Sequence, residues 1–209
     1  MNEIIIPDWP ITQKKYEVLM IQEFLKNEKI STVLEIGTSR GGTALLWAKM
    51  VAPNNGRVFC CDVRFDWGGF IDGQVIYNRQ VYNNFPEYEK RIIEFQGDSH
   101  NVKFIEHVKK EVGIVDLLFI DGDHAYNGIK QDFYNFYSIV KMGGHIIFHD
   151  IVDSEFHRSE GVDVARFWQE LKKTFDFDCY EFIDNNRYRW ADGNLCMGTG
   201  IIKKTRMEI

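Results

Sequence analysis

Hydrophobic residues along this chain follow two alternating rhythms, short β-rich runs and stretches at helical spacing. Tyr16, Leu19, Met20 and Phe24 recur every three or four residues, which predicts a helix from about Thr12 to Asn27. Thr32–Ile36 reads as the first strand and ends at a glycine. Thr43–Val51 reads as the next helix, stopped by Pro53-Asn54-Asn55-Gly56. Arg57–Asp62 and Arg91–Gln96 are the second and third strands, followed by a helix over about Asn101 to Lys110. Val115–Ile120 is an almost unbroken apolar run, as a central parallel strand buried on both faces requires. Ile129, Phe133, Phe136, Tyr137 and Val140 mark one face of a helix closed by Gly143-Gly144, and His145–Phe148 is the fifth strand. Val164, Phe167, Trp168, Leu171 and Phe175 predict a last amphipathic helix. Phe177–Ile183 and Met197–Lys203, joined by a turn-rich stretch, predict a closing hairpin with an antiparallel edge strand.

Strands alternating with helices define an α/β protein: a mostly parallel seven-stranded, Rossmann-like sheet with helices on both faces. No repeat or linker interrupts it. One domain over 1–209 is expected, with a helical extension over 1–30 and the core over 31–209. Three connections are long enough to line a pocket: Arg64–Gln74, Ile151–Asp163 and Asp184–Cys196.

Composition narrows the class of ligand. Lys and Arg total 25 against 31 acids, a formal charge of −6, with no dense basic run. Nucleic acid is therefore not expected as a partner, and a small or neutral polar substrate fits better. Lacking a membrane-length apolar run and a secretory pattern at its start, the chain reads as cytoplasmic. Cys60, Cys61, Cys179 and Cys196 include no CxxC pair, so they read as reduced, buried thiols. Cys60 and Cys61 point to opposite faces of their strand.

The densest local signal is Val33–Thr43, VLEIGTSRGGT, an apolar strand running through a glycine turn into a helix. Gly37 permits the tight turn, and Gly41 and Gly42 allow close approach of a ligand to the helix start. Glu35 lies two residues before the first glycine. A carboxylate there suits a cationic amino-acid group and sits poorly beside a pyrophosphate. The G-x-x-x-G-G spacing also departs from the dinucleotide pattern. Asp62 closes the second strand, where a carboxylate can accept both hydroxyls of a ribose, with Val63 beside it as a further cofactor contact. Asp98 or Ser99, at the end of the third strand, can hydrogen-bond an adenine amino group.

Ile120-Asp121-Gly122-Asp123-His124 closes the fourth strand and His149-Asp150 the fifth. If those strands are neighbours, three carboxylates and two imidazoles meet at one carboxyl edge. Like charges crowd that closely only when a cation or protons compensate.

VLEIGTSRGG, the aspartate of CCDV, FIDGDHAY, MGGHIIFHD and the late GTGII together resemble the Methyltransf_24 type of class I S-adenosylmethionine (SAM) dependent methyltransferase. They are also similar to the cephalosporin-hydroxylase-type methyltransferases and, more distantly, to catechol O-methyltransferase. The resemblance runs from about Val33 to Lys203. It implies a SAM site of Glu35, Gly37, Thr38, Ser39, Gly41, Gly42, Thr43, Asp62 and Ser99. It also implies Asp121 beside the transferable methyl, where relatives bind a divalent metal completed by an Asp-Asn or Glu-Asp pair. Here that pair is His149-Asp150, so Asp121, His149 and Asp150 form the candidate metal set for Mg, Mn or Ca, and the histidine favours softer ions.

Two routes to a reactive acceptor follow. A metal can lower the pKa of a bound hydroxyl, or His124 or His149 can act as general base beside Asp121. The expected reaction is O-methylation of a small molecule or sugar, with pocket walls at Trp67, His157, Arg158, Arg187, Tyr188 and Trp190. The alternatives are a non-catalytic methyltransferase-like interaction module and an NAD-dependent oxidoreductase. The aromatic N-terminus (Trp9, Pro10, Tyr16) is a candidate contact for a homo-oligomer.

Overall fold

A computed structural model describes residues 4–65, 69–71, 74–76, 80–184 and 197–209, with the backbone alone for 69–71 and 74–76. Its centre is a seven-stranded sheet built from β1 (Thr32–Ile36), β2 (Arg57–Asp62), β5 (Ile92–Gln96), β6 (Val115–Ile120), β7 (Val140–His149), β8 (Cys179–Phe182) and β9 (Thr199–Lys203). The strand order is β5-β2-β1-β6-β7-β9-β8. The first five positions pair in parallel, and β9 runs antiparallel to both β7 and β8. The reversed strand is thus inserted one place inside the edge, and β8 forms the edge itself.

Both faces are covered because the central strands are apolar on both sides. Val33, Leu117 and Phe119 face α1 (Lys15–Leu25) and α2 (Gly42–Val51), packing with Ile21, Leu25 and Trp47. Leu34, Ile36, Leu118 and Ile120 face the opposite layer, formed by α4 (Val102–Val112), α5 (Tyr126–Tyr137) and α7 (Val164–Thr174). Cys60 and Cys61 divide between the two cores, as strand alternation demands. Both thiols are free.

Several boundaries differ from the sequence pattern. The α5 helix stops at Tyr137 rather than at Gly143-Gly144, because Val140 already pairs with Val115. The register then jumps so that His145 faces Leu117, and Gly143 (φ +75°) lies in the bulge that absorbs the extra residues. The loop after β2 carries a short hairpin, β3 (Gly69–Ile71) and β4 (Gln74–Ile76); the four-residue α3 (Pro86–Glu89) precedes β5, and α6 (Glu155–Ser159) follows β7.

At the N-terminus, the helix starts at Lys15, and the residues before it cross the carboxyl end of the sheet. Trp9 is buried; its Nε1 donates to the Gly42 carbonyl at 2.9 Å and its ring meets Phe85 edge-on. That indole is committed to its own fold, whereas Pro10 and Tyr16 are exposed. Among the described residues, no helix is long and apolar enough to cross a membrane.

Candidate active site

The carboxyl end of β1 is tied to both of its neighbours, β6 and β2. Asp121 N–H donates to the Ile36 carbonyl at 2.8 Å, and Gly37 N–H donates to the Cys61 carbonyl at 2.9 Å. Gly37 sits at φ +85°, and a Cβ on it would lie 2.1 Å from the Asp121 carbonyl oxygen. Only glycine lets the turn pass so close to the neighbouring strand.

Two cavities flank this ridge and share Gly37, Ser39 and Asp121 as walls. The larger, about 640 Å³, is lined by Asp62, Val63, Asp98, Ser99, His100 and His124, among others. The smaller, about 390 Å³, is bounded by Thr38, Gly42 and Thr43 on one side and by Pro10–Gln13 and Phe156 on the other. Most of the sequence-predicted cofactor residues therefore line one or the other of these two cavities. Gly41 and Glu35 line neither cavity. Gly41 instead caps α2 at φ +75°, under the Tyr82 ring.

Glu35 is fully buried on the α2 side of β1, where burial pushes its carboxyl well above the usual range. The Cys60 thiol stands 3.5 Å from one of its oxygens, and the other has no hydrogen-bond partner.

Asp62 is locked rather than loose. Its Oδ2 accepts the backbone N–H groups of Thr38 and Ser39 at 2.9 and 2.8 Å, and its Oδ1 is 3.2 Å from the Arg64 N–H. The glycine loop thus commits two of its amides to a protein carboxylate.

Across the ridge, β6 and β7 bring together the acid–histidine cluster. Asp121 Oδ1 lies 3.2 Å from both His124 Nε2 and His149 Nδ1. Asp150, held at φ +62°, places Oδ2 3.4 Å from His124 Nδ1 and Oδ1 3.3 Å from His149 Nδ1. Burial opposes charge on every member, yet the mutual attraction prevails. Against burial, the two histidines hold Asp121 below the ordinary carboxylate range, and His149 does the same for Asp150. Against the same opposition, Asp121 and Asp150 push His124 up to about 9 and hold His149 well above its usual value.

The two histidines occupy different places. His124 is open to the larger cavity, with a side chain 36% exposed, whereas His149 is 5% exposed and lines neither cavity. Asp121, His124 and Asp150 each offer a ligand atom, all within 4.8 Å of one another. The grouping that presents itself for a cation therefore takes its imidazole from His124, where the sequence pairing pointed to His149. Two carboxylates and one imidazole suit a divalent ion of intermediate softness.

Three contributors were not legible in the sequence. Gln13 donates from Nε2 to Asp121 Oδ2 at 2.8 Å and accepts the Thr43 hydroxyl on Oε1 at 2.7 Å. Glu17, buried in α1, accepts the Gly198 N–H at 3.0 Å and stands 3.6 Å from His149 Nε2. His100 faces the buried Asp132 of α5 at 3.3 Å. The only available signal was a polar residue on the apolar stripe of a helix, as Glu17 and Asp132 are.

Of the expected pocket walls, Trp67, Arg187, Tyr188 and Trp190 lie outside the described residues. His157 lines neither cavity. It is buried, with Nδ1 2.7 Å from the Val152 carbonyl and Nε2 accepting the Met197 N–H at 3.1 Å. Arg158 points outward and pairs with Asp153.

A family profile described as a methyltransferase domain matches residues 34–151. The chain belongs to that family, the class I SAM-dependent methyltransferases. Among solved structures it is similar to the O-methyltransferase TomG of Streptomyces achromogenes, involved in tomaymycin synthesis and solved with SAM. The TM-score is 0.64 at 15% identity, covering 96% of this chain and 83% of that one. An O-methyltransferase of Bacillus cereus in complex with SAH gives 0.59 at 15% identity, over 95% and 84%. MycE, solved with Mg, SAH and mycinamycin VI, gives 0.55 at 15%, over 90% and 48%. At these identities the likeness is one of fold.

Two curated relatives, both uncharacterized, also match. One, from Acanthamoeba polyphaga mimivirus, is 33% identical over 75 residues, 31% of this chain and 34% of the relative. The other, from Sinorhizobium fredii, is 27% identical over 140 residues, 66% of this chain and 15% of the relative. The matched stretch is thus a minor part of either relative's length.

Proposed function

We propose that the chain, as one domain over 1–209, transfers the sulfonium methyl of SAM to a hydroxyl group of a small molecule or sugar. The observation that carries this reading is a nucleoside-sized cavity beside a second one, with Gly37, Ser39 and Asp121 as their shared wall. The fit to SAM rests on the Gly37 cradle, which any Cβ would fill, and on the acidic groups along the cleft. Adenosine belongs in the larger cavity, with the ribose on Asp62 Oδ1 and the base beside Val63, Asp98 and Ser99. The methionine tail then crosses the ridge toward Thr38, Gly42 and Thr43. An oxidoreductase reading is disfavoured because the Thr38 and Ser39 N–H groups, which would cradle a pyrophosphate, already bind Asp62.

Transfer breaks the S–CH3 bond, forms an O–CH3 bond and leaves S-adenosylhomocysteine (SAH); the acceptor's proton must go to a base. His124 is the histidine open to the cleft, and in its neutral form it can take that proton. Asp121 and Asp150 hold it protonated up to about pH 9, so alone it serves as base best on the alkaline side. A divalent cation bound by Asp121, His124 and Asp150 would supply Lewis acidity that lowers the acceptor's pKa. His149 is a positioning residue, wedged between Asp121, Asp150 and Glu17. Holding acceptor and methyl in line supplies much of the rate.

Calorimetric titration with SAM and SAH, on wild type and Asp62→Ala, tests the cofactor assignment. Binding by the wild type that is lost in Asp62→Ala is the expected result. A wild-type protein that binds neither ligand overturns the reading.

A further inference from the structure

The N-terminal segment reaches the smaller cavity with two polar side chains, Thr12 and Gln13. Gln13 is 5% exposed, yet it stands in the wall of the smaller cavity beside Gly37, Thr43 and Asp121. The segment has no freedom to stand off. Trp9 is hydrogen-bonded to the Gly42 carbonyl, and a Cβ on Gly42 would lie 2.4 Å from the Pro10 carbonyl oxygen. The residues before α1 are therefore pressed directly onto the start of α2.

The polarity of the Gln13 carboxamide is decided by its neighbours. Nε2 donates to Asp121 Oδ2 at 2.8 Å, so the amide nitrogen faces that carboxylate. The carbonyl oxygen faces the other way and receives two hydroxyl donors, Thr43 Oγ1 at 2.7 Å and Thr12 Oγ1 at 3.3 Å. Both acceptor positions of the amide are thereby taken. A carboxamide nitrogen carries two N–H bonds, and the second has no partner among the described residues. What remains is one donor, so the ligand group it can meet is an acceptor.

We infer that Gln13 is a cofactor-binding residue, donating its second amide N–H to the carboxylate at the amino-acid end of SAM. The assignment rests on the methyltransferase reading, which runs the cofactor tail over the Gly37–Asp121 ridge into this cavity. The N-terminal segment thereby recognises the amino acid rather than the nucleoside. Through its other N–H, Gln13 also holds Asp121 in place at the ridge.

The test compares two ligands by calorimetry. SAH carries the amino-acid end, and 5′-methylthioadenosine keeps the nucleoside and thioether but lacks it. Gln13→Ala should weaken SAH roughly tenfold, the value of one hydrogen bond to a charged group, and leave 5′-methylthioadenosine unchanged. Gln13→Glu replaces both donors with a carboxylate facing another, so it should weaken SAH further, again sparing 5′-methylthioadenosine. Retained binding of the nucleoside shows that either variant is folded. Parallel loss of both ligands, or no loss of either, overturns the assignment while the methyltransferase reading stands. Wild-type protein that binds neither ligand overturns both.

Discussion

Asp121 and His149 meet at 3.2 Å behind the cavity wall, and the far nitrogen of the same imidazole stands 3.6 Å from the Glu17 carboxylate. A histidine on the sheet edge is thus held between acids from β6 and α1. His124 repeats the arrangement one layer nearer solvent, between Asp121 and Asp150. Protonated His124 and His149 offset the charge of the ionised Asp121 and Asp150 between them.

That balance makes stability depend on pH from both sides. The histidines have folded values raised above the unfolded one, so their contribution is full below about pH 6.5. It is lost as pH rises through the folded values, which is about 9 for His124. Asp121 and Asp150 are lowered, so their contribution is present above about pH 4 and lost as pH falls further. Metal-free protein should therefore melt at a falling temperature from pH 7 to pH 10. Asp121→Asn should flatten that slope, and equal slopes in the two proteins would count against the charge pairing.

A cation should be held through His124 and not through His149. His124→Ala should abolish Mn²⁺ binding measured by calorimetry with SAH present. His149→Gln should retain it with affinity reduced about 10- to 100-fold, the usual cost of losing a group that orients a ligand. The opposite ranking would restore the His149 ligand set.

Gly37→Ala should be among the most damaging small substitutions in the chain. Its methyl would lie 2.1 Å from the Asp121 carbonyl oxygen, at a φ of +85° that alanine rarely adopts. A loss of about 2–4 kcal/mol in denaturant unfolding, accompanied by loss of SAH binding, is expected. Stability within 0.5 kcal/mol of wild type, roughly the range of a surface change, would show that the ridge can relax.

His100 and Asp132 should behave as a pair. Asp132 is fully buried and lies under Gly122, the floor of the larger cavity, while His100 forms part of the cavity wall. The Asp132 carboxylate holds the His100 imidazole up to about 9, despite partial burial. An NMR titration of His100 should return toward the ordinary histidine range in Asp132→Asn. Removing the histidine strands a buried acid, so His100→Ala should cost about 3 kcal/mol at neutral pH. An unshifted His100 titration in Asp132→Asn would remove Asp132 as the cause.

Much of this architecture is readable from residue order alone. VLEIG and VDLLFI carry near-continuous apolar runs because their strands are buried on both faces, and both appear where the pattern put them. Gly37, Asp62 and Asp121 were legible for a related reason: each ends a parallel strand, and such sheets place ligands at those ends. The β7 boundary was less legible, since Lys141–Gly144 carry no two-residue alternation through the bulge.

What the sequence determined by itself were the features written in near-neighbour spacing, namely the order of strands and helices, the turn glycines and the acids at the ends of β2, β6 and β7. Tertiary structure alone decided which side chains from distant elements complete the site. Gln13 reaches Asp121 across 108 positions of sequence, and Glu17 reaches Gly198 across 181. It also decided that His149 is sealed and His124 open, although both stand at the carboxyl end of the same sheet. Spacing of two or four residues records which face a side chain takes on its own element. Which element lies opposite that face is set by packing among segments far apart in the chain, and no local periodicity encodes it.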